Sequence, residues 1–238
     1  MKKCTGIIIS NQLKNNYGSL SQTRPDYMLP FGSRYRIIDF ALSNMVNYNL
    51  SQVMLYAGKN VRSTLDHLGD GENWELNRRS NGLLINPPSF DEMTNMRSEI
   101  LTYYDSLTHY EYSSTEVVYV ENPMTIAKMN IAKAYEEFID KDYDVLLVYK
   151  RTADEDKVYG GMNKVILDPS KQFVNVGVNL GTEDEFNLYL GRVFLKKEVF
   201  MSVVKESVEN ANAQTLLQAI MNNRSRLKIG TYEVQSHV

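Results

Sequence analysis

The sequence predicts an α/β fold, a parallel or mixed sheet with helices over both faces. Three observations carry this reading. Short apolar runs rich in β-branched residues recur along the chain, stretches with helical spacing separate them, and as far as Lys150 the order runs strand, helix, strand, helix. With 238 residues, 43% hydrophobic and 23% charged, the chain is expected to form one large domain or at most two small ones. Its 13 glycines and 6 prolines are too few for a disordered or collagen-like chain, so a real core is expected.

The first strand is read at Thr5–Ser10. A basic start precedes it, Met1-Lys2-Lys3, but the apolar run stops at Ser10, too short for a secretory core or a membrane span. Arg36–Asn47 reads as a helix with Ile37, Phe40, Ala41 and Asn44 to one side. Gln52–Ala57 and Val117–Val120 are the next buried strands. Ile131–Asp140 is the clearest helix: Ile131, Ala134, Tyr135 and Phe138 follow the i, i+3, i+4, i+7 pattern, and Asn130 is a natural N-cap. Val145–Tyr149 is a further strand. Beyond Lys150 come strands at Lys164–Leu167, Gln172–Val176 and Phe186–Phe194, with a turn at Asp168-Pro169-Ser170. Helices at Lys196–Glu209 and Ala213–Asn222 and a strand around Leu227–Glu233 complete the pattern. One domain with an antiparallel flap in its second half is expected. A ligand would sit beyond the carboxyl ends of the first strands, which directs attention to the loop after Ile9.

The balance of 26 basic against 29 acidic side chains gives a formal charge of −3 and no basic stripe, which argues against a dedicated binder of nucleic acid or anionic membrane. Cys4 is the only cysteine, so neither an intrachain disulfide nor a cysteine zinc site is possible, and a cytoplasmic home fits best. The three histidines, His67, His109 and His237, lie far apart in sequence. The 16 tyrosines suit half-buried strands or an assembly interface.

One segment goes beyond propensity. Ser21-Gln22-Thr23-Arg24, followed by Leu29-Pro30-Phe31-Gly32-Ser33-Arg34-Tyr35-Arg36-Ile37-Ile38-Asp39-Phe40-Ala41-Leu42-Ser43-Asn44, closely resembles the N-terminal region of bacterial glucose-1-phosphate adenylyltransferases (ADP-glucose pyrophosphorylases), which reads roughly "LTxxRxKPxxPFGGKYRIIDFxLSN". Weaker likeness continues through Lys59–Leu68, Ile126–Met129 and Leu190–Phe194. The resemblance implies a sugar-1-phosphate nucleotidyltransferase fold, a Rossmann-like mixed, mostly parallel sheet flanked by helices. It also implies a family that binds ATP and glucose 1-phosphate, uses Mg²⁺ and releases pyrophosphate. The family continues into a left-handed parallel β-helix, so residues 1–238 are expected to be a nucleotidyltransferase-like domain that stops before it.

Nucleotidyl transfer needs backbone N–H groups against the phosphates, cations around them and a carboxylate on the metal. Against the family pattern this sequence departs at each. The glycine-rich "AGGxGxRL" loop is replaced by Ser10-Asn11-Gln12-Leu13-Lys14-Asn15-Asn16-Tyr17, with no glycine between Gly6 and Gly18. The loop arginine aligns with Asn16 and the lysine of "KP" with Asp26. A unit charge about 4 Å away is worth about 4 kcal/mol at an effective dielectric near 20, so Asp26 would repel a triphosphate. The "SGDH" element aligns with Asn122-Pro123-Met124-Thr125, placing Met124 where the family has its metal-binding aspartate. A thioether cannot replace a hard oxygen ligand. No clear match to "GTADA" is found near Met96–Tyr104, and Val176-Gly177-Val178-Asn179 is the nearest stretch to "EKP".

A preserved scaffold with a dismantled site looks like the non-catalytic, GlgD-type subunits of the family. These share "DHLGxGxxWxL", present as Asp66 to Leu76, and "VGVNLG", present as Val176–Gly181. The implied role is to join the catalytic subunit in a hetero-oligomer and regulate it in glycogen synthesis. No catalytic residue, no metal site and no cofactor are expected in this chain. Two other readings stay open: an active nucleotidyltransferase in which Lys14 replaces the lost cations, and a module that senses a sugar phosphate or nucleotide without chemistry.

In the family the arginine matching Arg36 lies at a regulatory phosphate site, so Arg34 and Arg36 are candidates to hold a phosphorylated effector; solvated charges bridging to nearby acids are the alternative. Asp39 is expected to be a structural acid pairing with Arg34 or Arg36. His67 and His109 are expected to be half-buried or surface histidines, Asp154-Glu155-Asp156 a solvated loop, and Cys4 a small core residue.

Overall fold

A computed structural model of the chain describes residues 3–9, 17–78, 82–88 and 98–234. Eleven strands are found among them. Seven form one path through the main sheet: β1 (Cys4–Ile9), β4 (Gln52–Tyr56), β5 (Leu83–Asn86), β6 (Val117–Glu121), β7 (Val145–Ala153), β10 (Glu185–Lys196) and β11 (Ile229–Glu233). Their spatial order is β11-β7-β10-β6-β1-β4-β5. β1 is parallel to both β4 and β6, β4 to β5, and β7 to β11, while β10 runs antiparallel to its neighbours β6 and β7. This is the mixed, mostly parallel sheet that the sequence predicts.

Side chains alternate between two cores because successive residues of a strand point to opposite faces. Cys4, Ile8, Val53, Leu55, Val117 and Tyr119 pack beneath α1 (Ile37–Asn47) and α5 (Ile131–Asp140). Ile7, Ile9, Met54, Tyr56, Val118 and Val120 pack against α3 (Glu99–Asp105), α4 (Leu107–Glu111), α6 (Lys197–Glu209) and α7 (Leu216–Asn222). Cys4 is buried as expected, and burial pushes its thiol up to about 12. Between β4 and β5 the short helix α2 (Val61–Leu68) crosses near α1.

Several elements follow their sequence cues. Asn130 Oδ1 accepts the Lys133 N–H at 3.1 Å, capping α5, whose buried stripe is Ile131, Ala134 and Phe138. Other elements shift. The buried face of α1 is Ile38, Ala41, Leu42 and Met45, one residue along from the expected face; Phe40 instead packs edge-on against Phe31 at the partly exposed hairpin of β2 (Pro30–Phe31) and β3 (Tyr35–Arg36). The helix expected from Ala213 starts at Leu216, because Thr215 and Gln218 form a capping box.

The flap is a hairpin of β8 (Asn163–Leu167) and β9 (Phe173–Val178) that joins the sheet through β10. Asp168 turns the hairpin, its Oδ1 accepting the Gln172 N–H at 2.8 Å. Asp154 corrects the expectation of a solvated loop: it is 2% exposed, and its Oδ2 accepts a hydrogen bond from Asn179 Nδ2 at 2.9 Å. The buried pair ties the loop after β7 to the loop after β9.

Candidate functional site

The carboxyl ends of β1, β4 and β6 lie side by side at one edge of the sheet, the place where open α/β sheets bind ligands. Residues 10–16, which follow β1, lie outside the described residues, and with them Asn16 and Lys14. The other positions singled out in the sequence can be followed.

Asp26 begins a short 3₁₀ turn, Asp26–Met28, and partial burial pushes its carboxyl above the ordinary range. The next residue, Tyr27, is fully buried; its hydroxyl pairs with Thr64 Oγ1 at 3.1 Å and accepts the Gly58 N–H at 3.0 Å. The segment carrying Arg24 and Asp26 is thereby fastened to α2 and to the end of β4.

Between this segment, α1 and α2 lies a cavity of about 320 Å³ lined by Arg24, Met28, Arg36, Ser63, Asp66 and His67. Arg34 is not among the lining residues; its guanidinium sits over the Tyr35 ring, 5.8 Å from the centroid, at the hairpin tip. Asp39 is buried and structural, as expected, but its partners differ from those anticipated. One carboxylate oxygen accepts the Arg36 backbone N–H at 2.8 Å, capping α1, and the other pairs with His67 Nε2 at 2.7 Å. The sequence left α2 unassigned, so the approach of its histidine to α1 could not be anticipated. The Asp66–Leu76 motif has a structural explanation here. Gly69 and Gly71 adopt positive φ, 53° and 86°, and the returning chain brings Trp74 against His67 and its Nε1 to Ser43 Oγ at 3.3 Å. Two guanidinium groups facing one polar cavity could hold an anion, with the Asp66 carboxylate on the same lining opposing it and the His67 imidazole already paired with Asp39.

At the carboxyl end of β6 the arrangement is different. Met124 is part-buried and packs against the core beneath α1 and α5. Its N–H donates to Asn122 Oδ1 at 3.0 Å, and the Asn122 N–H donates to the Gly191 carbonyl at 2.9 Å. Gly191 sits in a bulge of β10 with φ at 67°, and a Cβ there would lie 2.8 Å from Asn122 Cβ. Next to it Arg192 and Glu121, 2% and 1% exposed, form an ion pair at 2.7 Å. Arg192 also donates to the Ala127 and Thr125 carbonyls at 2.9 and 3.2 Å, and Tyr119 donates to the second Glu121 oxygen at 2.8 Å. Burial pushes the Glu121 carboxyl above its ordinary value, with Arg192 opposing the rise. Both residues were missed in the sequence. Their signal was a charged residue set within or closing an apolar strand, Val117–Glu121 and Leu190–Leu195.

The donor set at this end does not fit Mg²⁺. Met124 offers only sulfur, and the Glu121 oxygens are taken by Arg192 and Tyr119. Among the described residues no group of three His, Cys, Asp or Glu side chains could hold a metal ion. No helix among them is long and apolar enough to cross a membrane.

No family model matches the chain. It is 29% identical over 175 residues to the glycogen biosynthesis protein GlgD of Bacillus subtilis strain 168, covering 67% of this chain and 50% of that protein. Over 152 residues it is 30% identical to GlgD of Geobacillus stearothermophilus, covering 63% and 44%. Over 168 residues it is 29% identical to a glucose-1-phosphate adenylyltransferase of Bacillus cereus strain Q1, covering 68% and 44%. The chain thus spans about half the length of the curated relatives it matches. Its fold superposes with a TM-score of 0.77 on a Bacillus anthracis structure described as a glucose-1-phosphate thymidylyltransferase, over 98% of this chain and 87% of that one, at 12% identity. The sequence is related to GlgD proteins and glucose-1-phosphate adenylyltransferases, and the fold is that of a sugar-1-phosphate nucleotidyltransferase.

Proposed function

We propose that this chain is the nucleotidyltransferase-like part of a GlgD-type subunit of glycogen biosynthesis, a cytoplasmic protein that makes no ADP-glucose itself and regulates a catalytic glucose-1-phosphate adenylyltransferase by joining it in a hetero-oligomer. The relationship to GlgD proteins supports the setting. The observation that carries the silence is Met124: where the family pattern calls for a metal-binding carboxylate, this chain has a part-buried thioether packed against its core. Asp26 supports the same reading, since it puts an anion where the family has a lysine, and so do the departures at Asn11, Gln12 and Asn16.

The test is an assay of pyrophosphate release from ATP, Mg²⁺ and glucose 1-phosphate. The purified chain alone should give none, and adding it to the catalytic subunit should change that subunit's rate or effector response. Turnover by the chain alone, retained after removal of contaminating enzyme, defeats the reading.

The cavity lined by Arg24, Arg36 and His67 favours a second property, the binding of a phosphorylated effector. Arg36 is one of its two lining guanidinium groups, and Arg34 stands at the neighbouring hairpin tip. Calorimetric titration with fructose bisphosphate should give heat that is lost in Arg36→Ala and kept in Arg34→Ala; no heat with the unaltered chain removes the effector from this site.

A further inference from the structure

Several backbone groups of the loop 122–129 are bonded to the chain itself. Three N–H groups are engaged: Asn122 with the Gly191 carbonyl, Met124 with Asn122 Oδ1, and Thr125 with the Asn122 carbonyl at 3.4 Å. Two carbonyls, those of Thr125 and Ala127, accept from the buried Arg192 guanidinium, whose charge is matched by Glu121. A guanidinium can reach several acceptors at once because its donors are held in a rigid fork, and here it spans one carboxylate and two carbonyls. The Tyr119 hydroxyl holds the second Glu121 oxygen, so the acid cannot swing away without breaking another buried bond.

We propose that Arg192 and Glu121 form a clasp that holds the loop 122–129 in one shape across the carboxyl end of β6. The N–H groups of Asn122, Met124 and Thr125, which could otherwise turn toward a bound phosphate, are kept on the protein. Arg192 acts as a resident cation in that loop, and its position at a bulge of β10 couples the loop to the middle of the sheet. The inference deepens the reading of a silent cleft. It concerns the chain alone, so failure to associate with a catalytic subunit leaves it standing, and its own failure leaves the association untouched.

Hydrogen exchange followed by mass spectrometry on the whole chain tests it, read on peptides covering residues 122–129 and compared with peptides of β1 and β4. Two variants serve. Arg192→Lys keeps the charge facing Glu121 but cannot bridge both carbonyls, and Glu121→Leu with Arg192→Leu removes the clasp without leaving a lone buried charge. In either folded variant exchange in the loop should rise at least tenfold while β1 and β4 keep their rates. Unaltered protection of the loop in a folded variant overturns the clasp. For the unaltered chain, ATP with Mg²⁺ should add no protection to residues 122–129, and new protection there overturns the proposal as well.

Discussion

The loop at the end of β6 and the cavity between α1 and α2 stand at the same edge of one sheet, yet their charges are used in opposite ways. In the first, a guanidinium is 2% exposed and bound to a carboxylate and two carbonyls. In the second, Arg24 and Arg36 line an open space together with Asp66, while the neighbouring Asp39 is occupied with capping α1 and holding His67. A buried cation whose partners all belong to the protein fixes structure. A cation facing a polar cavity can still recognise something. The difference separates a flank whose charges face open space from a seam whose charges are spent on the fold.

The largest effect should come from breaking the seam. Arg192→Leu leaves Glu121 buried without its counter-charge and should cost about 3–5 kcal/mol in urea unfolding. A loss under about 1 kcal/mol would mean that water reaches the pair, and the contrast with the cavity would collapse. Next comes Gly191→Ala, which forces an L side chain into a left-handed backbone, costing about 1–2 kcal/mol before its Cβ meets Asn122. Arg24→Ala in the cavity should change stability by no more than about 0.5 kcal/mol while weakening the calorimetric heat with fructose bisphosphate. A large stability loss there would make the cavity a structural seam as well.

The smallest effect belongs to the exposed rim of the flap, a reference for both regions. Lys157 Nζ, 2.7 Å from Asp184 Oδ1, holds that carboxyl below its ordinary value. A depressed folded value means that the pair stabilises the fold above the unfolded pKa of Asp184 and that this contribution is lost as pH falls through the folded value. Lys157→Ala should return the Asp184 titration, followed by NMR, toward 3.8. An unmoved titration would show that solvent already screens the pair.

Much of this was legible in the residues. The apolar runs placed β1, β4, β6 and β7, because a strand covered on both faces must be apolar throughout. The Ile131 helix announced its own cap and stripe. The motif around Arg36 pointed to the flank where the cavity lies. What could not be read depends on partners distant in sequence. Asp154 sits in an acidic triplet that looks solvated, and only Asn179, brought back by the flap, makes it a buried clasp. The direction of β10 is likewise invisible locally, since an antiparallel strand and a parallel one can share the same apolar pattern. The α1 face lies one residue from the expected one, since Phe40, counted as core, packs against Phe31 of a hairpin that no helical count can see.

The place of β10 also shapes how the molecule comes into being. β6 pairs with β1 on one side and with β10 on the other, so its second edge waits for residues 185–196. A nascent chain emerging to residue 150 already has β1, β4 and β6, with a row of unpaired backbone donors and acceptors along an apolar strand. The strand that will cover that row is still unmade, and it must enter between two others while the intervening flap closes a long loop. The middle of the sheet is therefore completed late, and the period before β10 arrives is when a newly made chain is most open to pairing with a neighbour or to capture by a chaperone.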